Sequence, residues 1–460
     1  MSKSVARRAT AALVTAVVAL TAACGSSSNT SSSSSGSSSS PAGGSGSAGS
    51  SAATPSSGGG GGGGQTLVVY SADPANTATY QSLVNTFGAK NGVSVKIISY
   101  PSADFLKNFS SAVTGRSQVD VLLANGQDVR YLKSKNLLAD ITGVADTADL
   151  VGQATQPFTI DGKLYAVGTG TLSTTALVYN PAVFKKYGLT IPKTFADLQT
   201  DADKLKGTGV SLISVPGGNI YLWPIWLMQM LQQTSGNDPV TLTQNTLKAG
   251  SPDFTAKPYV DALTAMQKLG SMGVFGNGFN GVTQDAAVAQ FVQQKAAMFY
   301  GGTWDLATIA KQGSALDATP LAFPTFVDGA KQGSSGGVGI AAAVYAHADP
   351  ARAELDRKLA AYLASADADN TIVTAAGSGL SLPAVKSVKS ALNSTLQTQI
   401  VSTFVPSTFT FLDWYWPKEV TAVFQNGVQA VVAGQQSPED VAKAAQAAFT
   451  AAKAAGWTYN

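Results

Sequence analysis

The chain has 460 residues, one cysteine, one histidine and a formal net charge of +3. A lone cysteine excludes an internal disulfide, and a lone histidine, His347, excludes a multi-histidine metal site and leaves at most one imidazole for catalysis. Lys3, Arg7 and Arg8 carry the whole positive surplus, so the rest of the chain is neutral and bears no electrostatic mark of a nucleic-acid partner.

Residues 1–23 have the form of an export signal. The three basic residues lead, and Ala11 to Leu20 is an apolar run too short to span a bilayer. Thr21-Ala22-Ala23 then precede Cys24 and Gly25. This resembles a bacterial lipobox, although Thr21 stands where that pattern usually has Leu, and Leu20 is one place earlier. The resemblance implies a lipid on the Cys24 thiol and a protein anchored to the outer face of the cell membrane. An ordinary secretory signal with a chance cysteine is the alternative. After Cys24, residues 25–64 are Ser and Gly with a few Ala, Thr and Pro and one Asn, without charge and almost without apolar bulk, so the stretch 24–64 is expected to be a disordered tether. Such a tether reaches roughly 30–40 Å on average.

From Leu67 strands and helices are predicted to alternate. Leu67 to Tyr70 reads as a strand, with Asp73-Pro74 a cap and first-turn proline. Tyr80, Leu83, Val84 and Phe87 form one helical stripe, and Asn91-Gly92 ends it. Val93 to Ser99 and Val119 to Leu123 read as further strands, with a helix through Phe105, Leu106 and Phe109 between them. Ala124-Asn125-Gly126 reads as a loop, followed by a helix through Val129 and Leu132. The βαβαβα order predicts a parallel sheet with right-handed crossovers. Farther on, Thr283 caps a helix through Val288, Phe291 and Val292. Ala296 to Tyr300 is a buried strand, Gly301-Gly302 a tight turn, and Trp304 follows at once. In open α/β sheets ligands bind outside the carboxyl ends of strands, and Trp304 stands at such an end. A core tryptophan capping the sheet is the alternative there.

Four blocks carry a resemblance to a family. They are the first strand and helix, YNPAVFKKYGLTIPKTFADL, KAAMFYGGTW, and AGQQSPEDVAKAAQAAF. Together they resemble the extracellular solute-binding proteins of bacterial ABC importers, in the branch that includes the maltose-binding proteins, over residues 65–456. The resemblance implies an α/β, two-lobed periplasmic-binding-protein-like fold of type II. Each lobe would be a mostly parallel sheet flanked by helices, with ligand in the interlobe cleft. Residues 65–170 plus 326–375 would form lobe 1, and 171–325 plus 376–460 lobe 2. Chain crossings are expected near Gly168 to Thr171, Phe323 to Asp328 and Ala375 to Gly379.

The implied function is non-enzymatic capture of a carbohydrate by a monomer, delivery to membrane permease subunits, and no cofactor or metal. A sugar needs an aromatic plate below and hydrogen-bonding groups at its rim. Trp304, Trp223, Tyr221 and Trp414 are the candidate aromatics, with Tyr70 behind them, and Asp73, Asn125 and Asn219 the polar ones. Trp226 and Trp416 are expected in the core. Where several relatives place an acid this chain has Gly170-Thr171. A receptor of the same fold for ferric iron or a polyamine is an alternative, though adjacent tyrosines of the iron receptors are missing. A surface glycosidase would need two carboxylates, for which Asp73, Asp305, Asp413 and Glu419 lie near loops. Two motifs mislead. Gly276 to Gly281 matches GxGxxG but follows a helical segment, and Gly333 to Gly337 matches GxSxG without the strand–turn–helix of a nucleophile elbow.

Overall fold

The computed structural model describes residues 65–313, 316–346, 350–375, 382–389 and 395–459. Cys24, the signal segment, the tether and His347 lie outside these residues, as does most of the third expected crossing.

The chain opens as β1 (Thr66–Ser71), α1 (Thr77–Asn91), β2 (Ser94–Ser99), α2 (Ser102–Thr114), β3 (Val121–Ala124) and α3 (Gly126–Ser134). The stripe read from the sequence is the face that α1 buries, namely Tyr80, Leu83, Val84 and Phe87. Gly92 then takes φ 67°, and its N–H bonds to the Gly88 carbonyl, which closes the helix. A short hairpin, β4 (Thr159–Ile160) and β5 (Lys163–Leu164), precedes the long β6 (Ala166–Tyr179). Then come α4 (Pro181–Tyr187), α5 (Phe195–Leu205), β7 (Ser211–Ser214), α6 (Leu222–Thr234), α7 (Pro239–Ala249), α8 (Lys257–Ser271) and α9 (Gln284–Val292). The chain continues through β8 (Ala296–Gly302), α10 (Leu306–Gln312), β9 (Thr319–Leu321), β10 (Ser334–Val344), α11 (Pro350–Leu363) and α12 (Ala366–Thr374). It closes with β11 (Leu382–Pro383), α13 (Thr395–Thr403), β12 (Thr408–Thr410), α14 (Lys418–Val432) and α15 (Pro438–Ala454).

The main path of the sheet runs β2-β1-β3-β10-β6-β8-β7. β1 is parallel to β2 and β3, and β7 is parallel to β8, while the long β6 and β10 run antiparallel to their neighbours on this path. β6 belongs to both halves. Ala166 to Thr169 lie opposite Ala343 to Ile340 of β10, and Thr175 to Tyr179 lie opposite Gly302 to Met298 of β8. Residues 170–174 therefore cross between the halves. The register shifts there between Val338 and Ile340, beside Gly170 at φ 84°.

This topology fixes where function can sit. β1 and β3 end at Ser71 and Ala124, on the edge nearest the crossover, and β8 and β7 end at Gly302 and Ser214, on the facing edge. Two sets of strand carboxyl ends thus point toward one crossing segment. The arrangement has two lobes joined by the crossing strands.

The core is continuous among the described residues. α6 is buried all round because LWPIWLMQML is apolar on every face, and Trp226 stacks 4.0 Å from Tyr300 at 0% exposure. Trp416 is also core, at 2% exposure. The GxSxG match falls inside β10, where Ser335 is fully buried, so no elbow forms. Gly336 is needed for close approach: a Cβ there would stand 2.4 Å from the Ser173 carbonyl oxygen.

Candidate functional site

On the first edge, Asp73 follows β1 and caps the short turn Pro74–Asn76. Its carboxylate accepts from the Asn76 N–H at 3.3 Å and from Asn76 Nδ2 at 2.8 Å. Asn125 follows β3 and caps α3, with Oδ1 accepting from the Asp128 N–H at 2.9 Å and Nδ2 donating to Ser102 Oγ at 3.2 Å. Tyr70 is buried and stacks on Tyr100 at 6.3 Å, so Tyr100, half-buried after β2, is the ring nearer to solvent.

On the facing edge, Trp304 follows the Gly301-Gly302 turn and is half-buried. Asp305 closes that turn by accepting the Gly302 N–H at 3.0 Å. Asn219 and Tyr221 come from the loop after β7. They converge on Gln284, the first residue of α9: Asn219 Nδ2 donates to Gln284 Oε1 at 3.1 Å and the Tyr221 hydroxyl donates to it at 3.4 Å. Gln284 Nε2 in turn donates to Asp305 Oδ1. The Trp304 indole N–H is buried without a hydrogen-bond partner. Asp305, with only 3% of its surface exposed, is pushed up to about 6, first by burial. Tyr221 keeps 40% of its surface open, and its hydroxyl bonds to Gln284. Its pKa is pushed up to about 12, by burial and then by the Asp305 charge.

Four of the residues expected from the sequence thus lie on the two edges: Asp73, Asn125 and Asn219 are half-buried, and Tyr221 is exposed. Trp304 is half-covered beside the last two. Two aromatics lie elsewhere. Trp223 is fully buried, its indole N–H donates to the Gly217 carbonyl at 3.0 Å, and Phe275 and Phe279 meet it edge-on. It falls in the first turn of α6 and faces inward, so Tyr221 is the ring that this segment leaves open. Trp414 is 8% exposed, covers Gly126 and Gly337, and packs on Phe158 and Phe411. Its role here is to fill the space beneath the α3 terminus that carries Asn125.

Gln284 was not legible as a site residue, because nothing near Thr283-Gln284 in sequence points to Tyr221. Gln127 was missed for the same reason. Its Nε2 reaches Thr421 Oγ1 at 2.8 Å and the Asp413 carbonyl at 3.2 Å, tying the start of α3 to the start of α14. Among the described residues no group of three or more His, Cys, Asp or Glu could hold a metal ion, and no helix is long and apolar enough to cross a membrane.

Comparison with known proteins matches this architecture. The chain is 23% identical to the multiple sugar-binding protein of Streptococcus mutans over 364 residues, which covers 77% of this chain and 83% of that protein. The structure of a family 1 extracellular solute-binding protein from Bifidobacterium longum subsp. infantis superposes with a TM-score of 0.69 at 21% identity, covering 85% of this chain and 100% of that one. A chitin oligosaccharide binding protein gives 0.72 at 17% identity, with 85% and 99% covered. The model of the family described as bacterial extracellular solute-binding protein matches residues 82–399, more than half of the sequence, and the chain belongs to that family.

Proposed function

We propose that this protein captures a carbohydrate between its two sheet edges and delivers it to the permease of an ABC importer. One observation carries the reading. A half-buried tryptophan with an unpaired indole N–H stands beside an exposed tyrosine, and polar caps occupy the opposite strand ends. An aromatic plate with hydrogen-bonding groups around it suits the apolar face and hydroxyl rim of a sugar. The sugar-related names of the relatives support the same class. In this reading Asp73, Asn125, Asn219, Tyr221 and Trp304 contact the ligand, whereas Trp223 and Trp414 support the walls.

The lobes are 65–170 plus 326–375 and 171–325 plus 376–460, and closure is a hinge motion about the crossing strands, driven by the ligand's added contacts with the second lobe. The protein acts as a monomer and as a receptor, not an enzyme. Asp73 is engaged by Asn76 and the Asp413 carboxyl is buried, which favours binding over two-carboxylate hydrolysis. Cys24 carries a lipid that holds the tethered domain at the outer membrane face.

A thermal-shift screen of the soluble domain against mono- and oligosaccharides, spermidine and ferric citrate tests the reading. A ligand present at about 100 times its Kd stabilises by about 2.7 kcal/mol. Stabilisation by a sugar without its cleavage is expected. Stabilisation by spermidine or ferric citrate alone, or release of sugar products, overturns it.

A further inference from the structure

The Gln284 carboxamide is held from three sides. Its Oε1 accepts from Asn219 Nδ2 and the Tyr221 hydroxyl, and its Nε2 donates to Asp305 Oδ1. The other Asp305 oxygen accepts the Gly302 N–H. An ionised carboxylate can only accept, so it fixes the amide with nitrogen toward Asp305 and oxygen toward Tyr221 and Asn219. The Tyr221 proton is then committed to Gln284, and the phenol oxygen can otherwise only accept. Asn219 spends Nδ2 on the same Gln284 oxygen, which leaves its Oδ1 as an acceptor.

We propose that Asp305, acting through Gln284, sets the direction of hydrogen bonding at Tyr221 and Asn219, so that this wall accepts protons from ligand hydroxyls. Asp305 and Gln284 are positioning residues, acting behind the groups that meet the ligand. The proposal deepens the carbohydrate reading and rests on it for the identity of the ligand. A neutral Asp305 can donate. The amide then turns over and Nε2 faces both Tyr221 and Asn219: the phenol must accept from it and release its own proton from that bond, and the Asn219 amide must turn its Oδ1 inward in place of Nδ2. Burial and the neighbouring Asp285 of α9 raise the Asp305 carboxyl, so the reversal falls in the weakly acidic range. Asp285 and Tyr221, from α9 and the β7–α6 loop, are the titratable groups that bear on it.

A simple turn-closing role for Asp305 makes a different prediction. Asparagine can still accept the Gly302 N–H, but its amide donates toward Gln284 as the protonated acid does. Ligand-free protein labelled with ζ-¹³C tyrosine therefore decides the matter, with the Tyr221 signal assigned by Tyr221→Phe. In the unaltered protein this signal should move between two limits with a midpoint near 6. In Asp305→Asn it should stay at the acid limit at every pH, and in Gln284→Met it should cease to titrate. The second variant decides if the first fails to fold. A wild-type signal that does not titrate, or a titration that survives in either folded variant, overturns the relay. Calorimetry with raffinose and chitotriose adds the ligand arm. A bound sugar should lose roughly tenfold in affinity from pH 7.5 to pH 5, the worth of about one hydrogen bond, and this loss should vanish in Asp305→Asn. Binding indifferent to pH beside an intact tyrosine titration overturns the acceptor wall. Binding of neither sugar beside that titration overturns the carbohydrate reading and leaves the relay standing.

Discussion

The Trp304 indole lies directly against Gly302: a Cβ built on that glycine would stand 2.3 Å from the ring. The ring position therefore depends on a missing side chain two residues earlier. Gly302→Ala should displace the indole and weaken sugar binding by roughly tenfold or more, because an aromatic contact is worth about 0.5–1.5 kcal/mol beyond its area. Calorimetric titration measures this. Unchanged affinity in a folded Gly302→Ala protein would remove Trp304 from the site.

Trp304→Ala and Trp223→Ala should differ in kind. The first should cost about 30- to 1,000-fold in ligand affinity, as ring stacking and apolar burial are lost together. The second should cost about 3–5 kcal/mol of folding stability, since Trp223 is fully enclosed and its N–H is satisfied within the core. Chemical denaturation of the ligand-free proteins, beside titration, separates the two. If Trp223→Ala kept full stability and lost only binding, the core placement would be wrong.

Stability should fall as pH rises from about 4 to about 7. Burial pushes Asp128 and Asp413 up to about 7, and Asp369 and Asp305 up to about 6. With folded-state pKa values above the unfolded ones, the native protein binds more protons in that window and is stabilised by acid. Asp140, Asp197, Asp203 and Glu354 are lowered instead, a contribution lost only at more acid pH and small because solvent reaches all four carboxylates. Melting temperature should therefore peak near pH 4 and decline from there toward pH 7. Asp413→Asn should raise stability by roughly 1–3 kcal/mol at pH 8 and hardly at all at pH 4.5, each pKa unit being worth about 1.4 kcal/mol. A melting profile that climbs from pH 5 to pH 8 would contradict this account.

Cys24→Ser should release the protein from membranes or leave it unprocessed, because the lipid requires a thiol. Metabolic labelling with palmitate and membrane fractionation test this directly. Label retained in the serine variant would rule out Cys24 as the anchor.

The fold was legible because its signals are local. The α1 stripe, the Asn91-Gly92 stop and the Thr283 cap each need only a few neighbouring residues, and each appears in the structure. Trp304 could be placed at a strand exit for the same reason. The wall around it could not be read. Whether Tyr221 or Trp223 faces outward depends on where α6 begins, and the helix starts at Leu222, which turns Trp223 toward Gly217 and Phe275. Trp414 had an aromatic's appearance of a ligand plate, yet Gly126 and Gly337, both far away in sequence, supply the surface it covers. Contacts of this span leave no mark on local periodicity.

The long strand β10 has a consequence for how the protein is made. The first half of the sheet places β3 beside β10, so Val121 to Ala124 wait for Val344 to Ala341, more than two hundred residues downstream. During synthesis, amino terminus first, the β1–β3 edge is unpaired while all of β6 to β9 emerges. An open edge of VLLA is a template for wrong pairing. The nascent chain therefore relies on being kept unpaired until β10 has been made, and fragments that end before residue 334 should aggregate instead of yielding a half-sized binding domain.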